Sequence, residues 1–285
     1  MAVLGIGEIA ERLRRSTVQV RSGPDGRGSG SGVLWDSEGL VVTNSHVVQP
    51  PAVELELWDG RRFPAELAAR DTRRDLALLR FRAGGLEPAV AGDSSRLRVG
   101  ELVLAVGNPL GFVGALSTGV VHALGPLRGL GRRDWVQADI RLLPGNSGGP
   151  LADARGRVVG INTMIAGGLA LAVPSNAVER LLKSGGSNVT LGVVVQPVRV
   201  QVDGNPALGL LVLRVEPGSP AAAASVLVGD VLIGAGERRF DSPDDLAQAI
   251  EDNSRGVLPL EFLRGDRRAL RAVSVRLAAQ AYAAA

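Results

Sequence analysis

The chain has 285 residues, 45% of them hydrophobic, with no cysteine and a formal charge of +3 from 32 basic and 29 acidic side chains. That length accommodates two domains with real cores, and that apolar content excludes general disorder. Absent cysteine excludes disulfides and thiolate sites, two separated histidines argue against structural zinc, and 3% aromatics with scattered arginine pairs do not indicate nucleic acid, so neither cofactor nor metal is expected.

In chain order, Met1 to Arg12 has no basic segment leading an apolar one, which predicts no signal peptide, and Glu8 to Arg15 has helical spacing. No apolar stretch runs unbroken for about 18 residues, so no membrane span is expected. The chain as written then reads as cytoplasmic, or as exported if a leader has been removed. Short strands follow from Ser16 to Ser22, Val33 to Trp35, Leu40 to Thr43, Ala52 to Trp58, Leu76 to Phe81, Glu101 to Val106 and Trp135 to Ala138, separated by Gly, Pro and Asp turns. Many short strands with frequent turns suggest barrels. Gly28-Ser29-Gly30-Ser31-Gly32 has the look of a phosphate cradle, but it leads into a strand and a turn rather than a helix. Ser175 to Lys183 has helical spacing and stops at Gly185-Gly186. Beyond a linker from Ser184 to Asn188 come two strands, a third bounded by Gly229-Asp230, a helix from Pro243 to Glu251 and two more strands.

Pro144-Gly145-Asn146-Ser147-Gly148-Gly149-Pro150 sets one serine in a glycine-flanked bend, where backbone amides can converge on an oxyanion. The spacing Gly145-x-Ser147-x-Gly149 also fits an α/β-hydrolase elbow, yet no histidine follows Ser147. Chain order therefore favours histidine, aspartate, serine. His46 ends an apolar strand, and Asp75 opens the apolar run Leu76 to Leu79, where a carboxylate needs a hydrogen-bonding partner. The competing base is His122 with Asp134 or Asp139. Asp59, Asp71 and Asp93 compete with Asp75, but each lies in a polar turn.

Thr43-Asn44-Ser45-His46-Val47-Val48, Asp75-Leu76-Ala77-Leu78-Leu79 and Gly145-Asn146-Ser147-Gly148-Gly149-Pro150-Leu151 resemble the three signature blocks of HtrA (Deg) serine proteases. Gly28 to Val33, Gly107-Asn108-Pro109-Leu110-Gly111, Ser117 to Val121 and Ala172 to Asn176 agree in the family order. The resemblance implies a mainly β chain: two six-stranded chymotrypsin-like β-barrels over 1–186 with the triad His46, Asp75, Ser147 between them, then a small α+β PDZ domain over 187–285. It implies an endopeptidase acting on unfolded polypeptides, with Gly145, Asn146 and Ser147 around the oxyanion hole, a hole that in this family can be unformed at rest. Arg141, six residues before the serine, holds the position at the base of the primary specificity pocket or swings to solvent. Thr190-Leu191-Gly192-Val193 aligns with a carboxylate-binding loop for C-terminal peptides, which would lie between Val193-Val194-Val195 and the helix from Pro243. Ser225 stands where the family has glycine, and Gly234-Ala235-Gly236 replaces an asparagine-glycine turn. A homotrimer rests on family analogy alone, since no aromatic residue precedes Trp35. The rival class is a chaperone or peptide-binding scaffold with little proteolysis.

Overall fold

The computed structural model describes residues 5–23, 28–109, 112–127, 133–184, 190–236, 238–253, 256–265 and 270–277. Leu110-Gly111, the helix stop at Gly185-Gly186 and the linker through Asn188 lie outside them. The chain forms two compact units, Met1–Gly186 and Ser187–Ala285.

The first unit opens with helix α1 (Ile6–Arg15), whose Glu8 carboxylate accepts the Gly5 amide at 3.0 Å and whose last turn carries Arg12, Arg14 and Arg15. Both ends thus complement the helix dipole. Strands β1 (Thr17–Ser22), β2 (Gly28–Leu34), β3 (Leu40–Thr43), β4 (Val53–Glu56), β5 (Arg62–Asp71) and β6 (Leu76–Arg80) follow. They close in the order β1-β2-β3-β6-β5-β4, with Val20 opposite Leu55 at the seam.

A second set comprises β7 (Val90–Ala91), β8 (Leu102–Gly107), β9 (Ala115–Pro126), β10 (Asp134–Asp139), β11 (Pro150–Asp153), β12 (Arg157–Ala166) and β13 (Leu169–Pro174). Six of these close in the order β11-β8-β9-β10-β13-β12, and β7 adds to β12 in parallel. Helix α2 (Ser175–Ser184) follows. The expected two six-stranded barrels are present.

Each barrel has its own interior, Val18, Val20, Val41, Leu55 and Leu79 in the first and Val103, Val121, Val136, Leu151 and Val159 in the second. A third cluster joins them: Val33, Val42, Leu76 and Leu78 pack with Leu104, Val106, Ile161 and Leu171. Strands β3 and β8 are therefore buried on nearly all sides, which explains why they read as dense apolar runs. The long strands β5, β9 and β12 were not legible as separate elements. β9 alternates half-buried and exposed residues along most of its length, so it carries no dense apolar signal.

In the second unit, β14 (Val193–Val202) and β15 (Asn205–Val215) form a hairpin closed by Asp203-Gly204, with φ of 52° and 80°. Two consecutive left-handed residues match the right-handed strand twist. Then come α3 (Pro220–Ala223), β16 (Val231–Ala235), β17 (Arg238–Arg239), α4 (Asp244–Asp252), β18 (Val257–Leu263) and β19 (Leu270–Arg276). The sheet order is β14-β15-β16-β18-β19 with β17 beside β16, which leaves β14 at an edge. Leu191, Leu210, Val212, Leu232, Leu246, Leu258 and Phe262 form its core.

Candidate active site

Strands β3 and β6 are antiparallel neighbours with Thr43 opposite Ala77, so the end of one and the start of the other lie side by side. That register brings together His46, three residues past Thr43, and Asp75, two before Ala77. The turn carrying His46 is anchored by buried Ser45, Val47 and Val48 and by the Ser22 hydroxyl, which donates to the Val47 carbonyl. The imidazole itself is exposed. Asp75 has a left-handed backbone, φ 56°, and its carbonyl oxygen accepts the Asn44 side-chain amide at 2.9 Å. Such a conformation is uncommon for a residue with a Cβ and costs energy that surrounding contacts must offset.

Asp75 Oδ1 accepts the His46 backbone N–H at 3.0 Å, and Oδ2 faces Nδ1 of the ring at 2.7 Å. A carboxylate only accepts, so Nδ1 carries the proton and Nε2 is left as the ring's acceptor. The hydrogen bond to Asp75 raises the His46 pKa above its ordinary value, against an opposing effect of burial. For Asp75, burial pushes upward, but the hydrogen bonds from His46 and Thr163 outweigh it and hold the carboxyl below the usual range.

Ser147 lies between β10 and β11, just after a turn in which the Asn146 amide donates to the Leu143 carbonyl at 3.0 Å. Pro144 and Gly145 occupy its centre, and Gly145 has φ 102°. Proline followed by a left-handed glycine is the sequence of a type II turn. Among the described residues no acceptor meets the backbone N–H of Gly145 or of Ser147. The Asn146 amide is committed to the turn. The Ser147 hydroxyl donates to the Thr163 carbonyl at 2.9 Å rather than to the ring of His46.

Thr163 is the residue that sequence reasoning missed. Its carbonyl receives Ser147 while its hydroxyl donates to Asp75 Oδ2. One signal was available: Asn162 and Thr163 are adjacent buried polar residues inside the apolar strand β12. Polar groups at such positions need partners.

The competing candidates have other surroundings. His122 is exposed on β9 and, among the described residues, has no carboxylate partner. Asp59 binds Arg61, Asp71 binds Arg74, and Asp93 holds Ser95. Arg141 is exposed between buried Ile140 and Leu142, which face the interior of the second barrel. Among the described residues no cluster of three or more His, Asp or Glu is placed to hold a metal ion. Among them also, no helix is long and apolar enough to cross a membrane.

In the second unit, Thr190, Leu191, Gly192 and Val193 lead into edge strand β14. Leu191 is buried, its carbonyl accepts the Ala221 amide at 3.0 Å, and the Gly192 carbonyl accepts Glu216 at 2.8 Å. Gly192 has φ 75°, and a Cβ there would stand 2.2 Å from that of Ser219. The amides of Leu191 and Gly192 have no acceptor among the described residues.

Residues 30–161 match the trypsin-like peptidase domain family. The chain is 35% identical over 270 residues to the Synechocystis sp. protein HhoA, named as a serine protease, covering 85% of this chain and 68% of that one. The chain belongs to the HtrA family of trypsin-like serine proteases. As an HtrA protein it is a serine endopeptidase. A Brucella suis relative named as a DegP-like periplasmic serine endoprotease is 36% identical over 246 residues, 80% of this chain and 48% of that protein. Among solved structures, the HtrA-type protease AlgW with a tripeptide superposes with a TM-score of 0.72 at 25% identity, over 98% of this chain and 99% of that one. A serine endoprotease from Yersinia pestis shares the fold with a TM-score of 0.72 at 24% identity, over 99% of this chain and 100% of that one.

Proposed function

We propose that Ser147, His46 and Asp75 act as nucleophile, base and orienting acid in cutting unfolded polypeptides through an acyl-enzyme. The observation that carries this reading is the 2.7 Å contact between His46 Nδ1 and Asp75, which leaves Nε2 as the base. In this reading the Ser147 hydroxyl leaves the Thr163 carbonyl and turns to Nε2 when substrate binds. Contacts of this kind commonly tighten only once substrate is bound. The Ser147 oxygen attacks the scissile carbonyl as its proton passes to His46, which then gives that proton to the leaving amine. Water attacks the acyl-enzyme by the same path.

The free amides of Gly145 and Ser147 would receive the tetrahedral oxyanion, with Asn146 holding the turn between them. Losing one such donor typically costs roughly 2.7–4 kcal/mol of transition-state stabilisation. The left-handed Gly145 and the turn hydrogen bond support a hole shaped before substrate arrives.

The second unit, residues 187–285, is assigned as a PDZ domain that captures peptide C-termini. The amides of Leu191 and Gly192, without an acceptor among the described residues, suit a terminal carboxylate, and β14, an edge strand among the described ones, suits pairing with an extended chain. The periplasmic names of the DegP-like relatives favour an exported location.

Fluorophosphonate labelling of the wild type beside Ser147→Ala, scored together with hydrolysis of unfolded casein, tests the reading. Labelling and cleavage by the wild type alone are expected. An unlabelled wild type that holds casein without cutting it would support a chaperone or peptide-binding scaffold instead.

A further inference from the structure

Ser31 lies on β2 in the first barrel, within the glycine-rich stretch Gly28 to Gly32, and is fully buried. Its hydroxyl donates to the Gly145 carbonyl at 2.7 Å and accepts the Asn108 amide at 2.9 Å. Its backbone N–H donates to the Ser147 carbonyl at 2.7 Å, and its own carbonyl accepts the Thr43 hydroxyl at 2.7 Å. One residue of the first barrel thus grips the nucleophile loop of the second at two points.

Those two points alternate with the free amides. The Gly145-Asn146 peptide is held at both ends, its N–H by the Leu143 carbonyl and its C=O by the Ser31 hydroxyl. The Ser147-Gly148 peptide is held likewise, its N–H by the Asn162 carbonyl at 2.7 Å and its C=O by the Ser31 amide. A peptide plane bonded through both N–H and C=O cannot rotate without breaking both bonds. Between and before these pinned planes lie the two unpinned N–H groups, on Gly145 and Ser147.

We propose that Ser31 is a positioning residue for peptide hydrolysis: by clamping the Gly145 carbonyl through its hydroxyl, it aims the amides of Gly145 and Ser147 at the developing oxyanion. The inference rests on the reading of Ser147 as nucleophile. The surroundings suit a side chain that must not move. A Cβ on Gly149 would stand 3.2 Å from that of Ser31, and one on Gly148 only 2.0 Å from the Ser31 carbonyl oxygen, so only glycines at these places let the nucleophile loop come this close to Ser31. The buried Asn108, whose amide Ser31 accepts, is fixed in turn by the Gly114 amide on its side-chain oxygen at 2.9 Å.

The test compares Ser31→Ala with Ser31→Cys, whose bulkier thiol still offers a weak donor, using casein turnover, fluorophosphonate labelling rate and thermal unfolding. For Ser31→Ala, kcat and labelling rate are expected to fall about ten- to a hundredfold, less than the 10²–10³ typical of losing an oxyanion donor outright. KM is expected to stay within about twofold and Tm within a few degrees, with Ser31→Cys falling between the alanine variant and the wild type. A Ser31→Ala enzyme as fast as the wild type, or one whose KM and Tm worsen in step with kcat, overturns the proposal. If the alanine variant does not fold, Ser31→Cys decides alone, and an undiminished kcat refutes the role. A wild type that takes no label removes the nucleophile reading itself and this inference with it.

Discussion

The hydroxyl of Thr163 donates to Oδ2 of Asp75 across 88 residues of chain. That oxygen also faces Nδ1 of His46, so two donors meet on one carboxylate oxygen. Thr163→Val keeps the branched shape and removes one of them. A hydrogen bond to a charged group contributes about 1.5–3 kcal/mol. The expected result is a fall in kcat/KM of roughly ten- to a hundredfold, largely reversed in Thr163→Ser, measured on unfolded casein.

The pH dependence follows from the His46–Asp75 pair. The hydrogen bond to Asp75 raises the His46 pKa, and the ring accepts a proton from serine only when neutral. Activity is therefore lost as pH falls through that raised value, and the acid limb of kcat/KM should lie above about 6.5, the ordinary imidazole value. Asp75→Asn removes the raising cause. Its limb should move down, and kcat should drop by about 10⁴ as the ring loses its tautomer. Stopped assays between pH 5 and about pH 9 on both enzymes check both statements.

Gly148 has φ 86°, and a Cβ there would stand 2.0 Å from the Ser31 carbonyl oxygen and 2.3 Å from the Thr43 hydroxyl. Gly148→Ala should abolish labelling and lower Tm. Gly167 is the control, with φ 60° and open space around it. Gly167→Ala should cost only the left-handed strain of about 1–2 kcal/mol. Equal losses in calorimetry of the two variants would mean that the clash contributes nothing.

Arg264 binds Asp230 with two hydrogen bonds of 2.7 Å, and the Asp230 side chain is 1% exposed. Arg264→Leu would leave a buried carboxylate without its cation, a change that destabilises by about 3–5 kcal/mol. The three tryptophans, Trp35, Trp58 and Trp135, all lie in the first unit. The loss should therefore appear as reduced hydrogen-exchange protection in β16 and β18, with a smaller change in tryptophan fluorescence.

The barrel strands were legible where burial on both faces made them uniformly apolar, as in Leu40 to Thr43 and Leu76 to Leu79. They were obscure where one face meets solvent, as along β9. The left-handed backbone of Ser225, φ 59°, gives a physical reason for glycine to be usual at that place. His46 and Asp75 stood out as polar residues at the mouths of apolar strands. Ser31, a serine among glycines, did not, and for Thr163 the polar pair with Asn162 could mark only the need for a partner, not which groups it bonds.

Chain order and residue chemistry alone determined which hydroxyl, imidazole and carboxylate were candidates, and that the chain would build closed sheets. Only the tertiary structure decided which group each candidate meets. The Ser31 hydroxyl reaches Gly145 across 114 residues, and the Thr163 carbonyl holds Ser147 across 16. Such partners are chosen by strand register and barrel closure, which are properties of the whole packed unit, whereas local sequence specifies only the period and the turns of each strand.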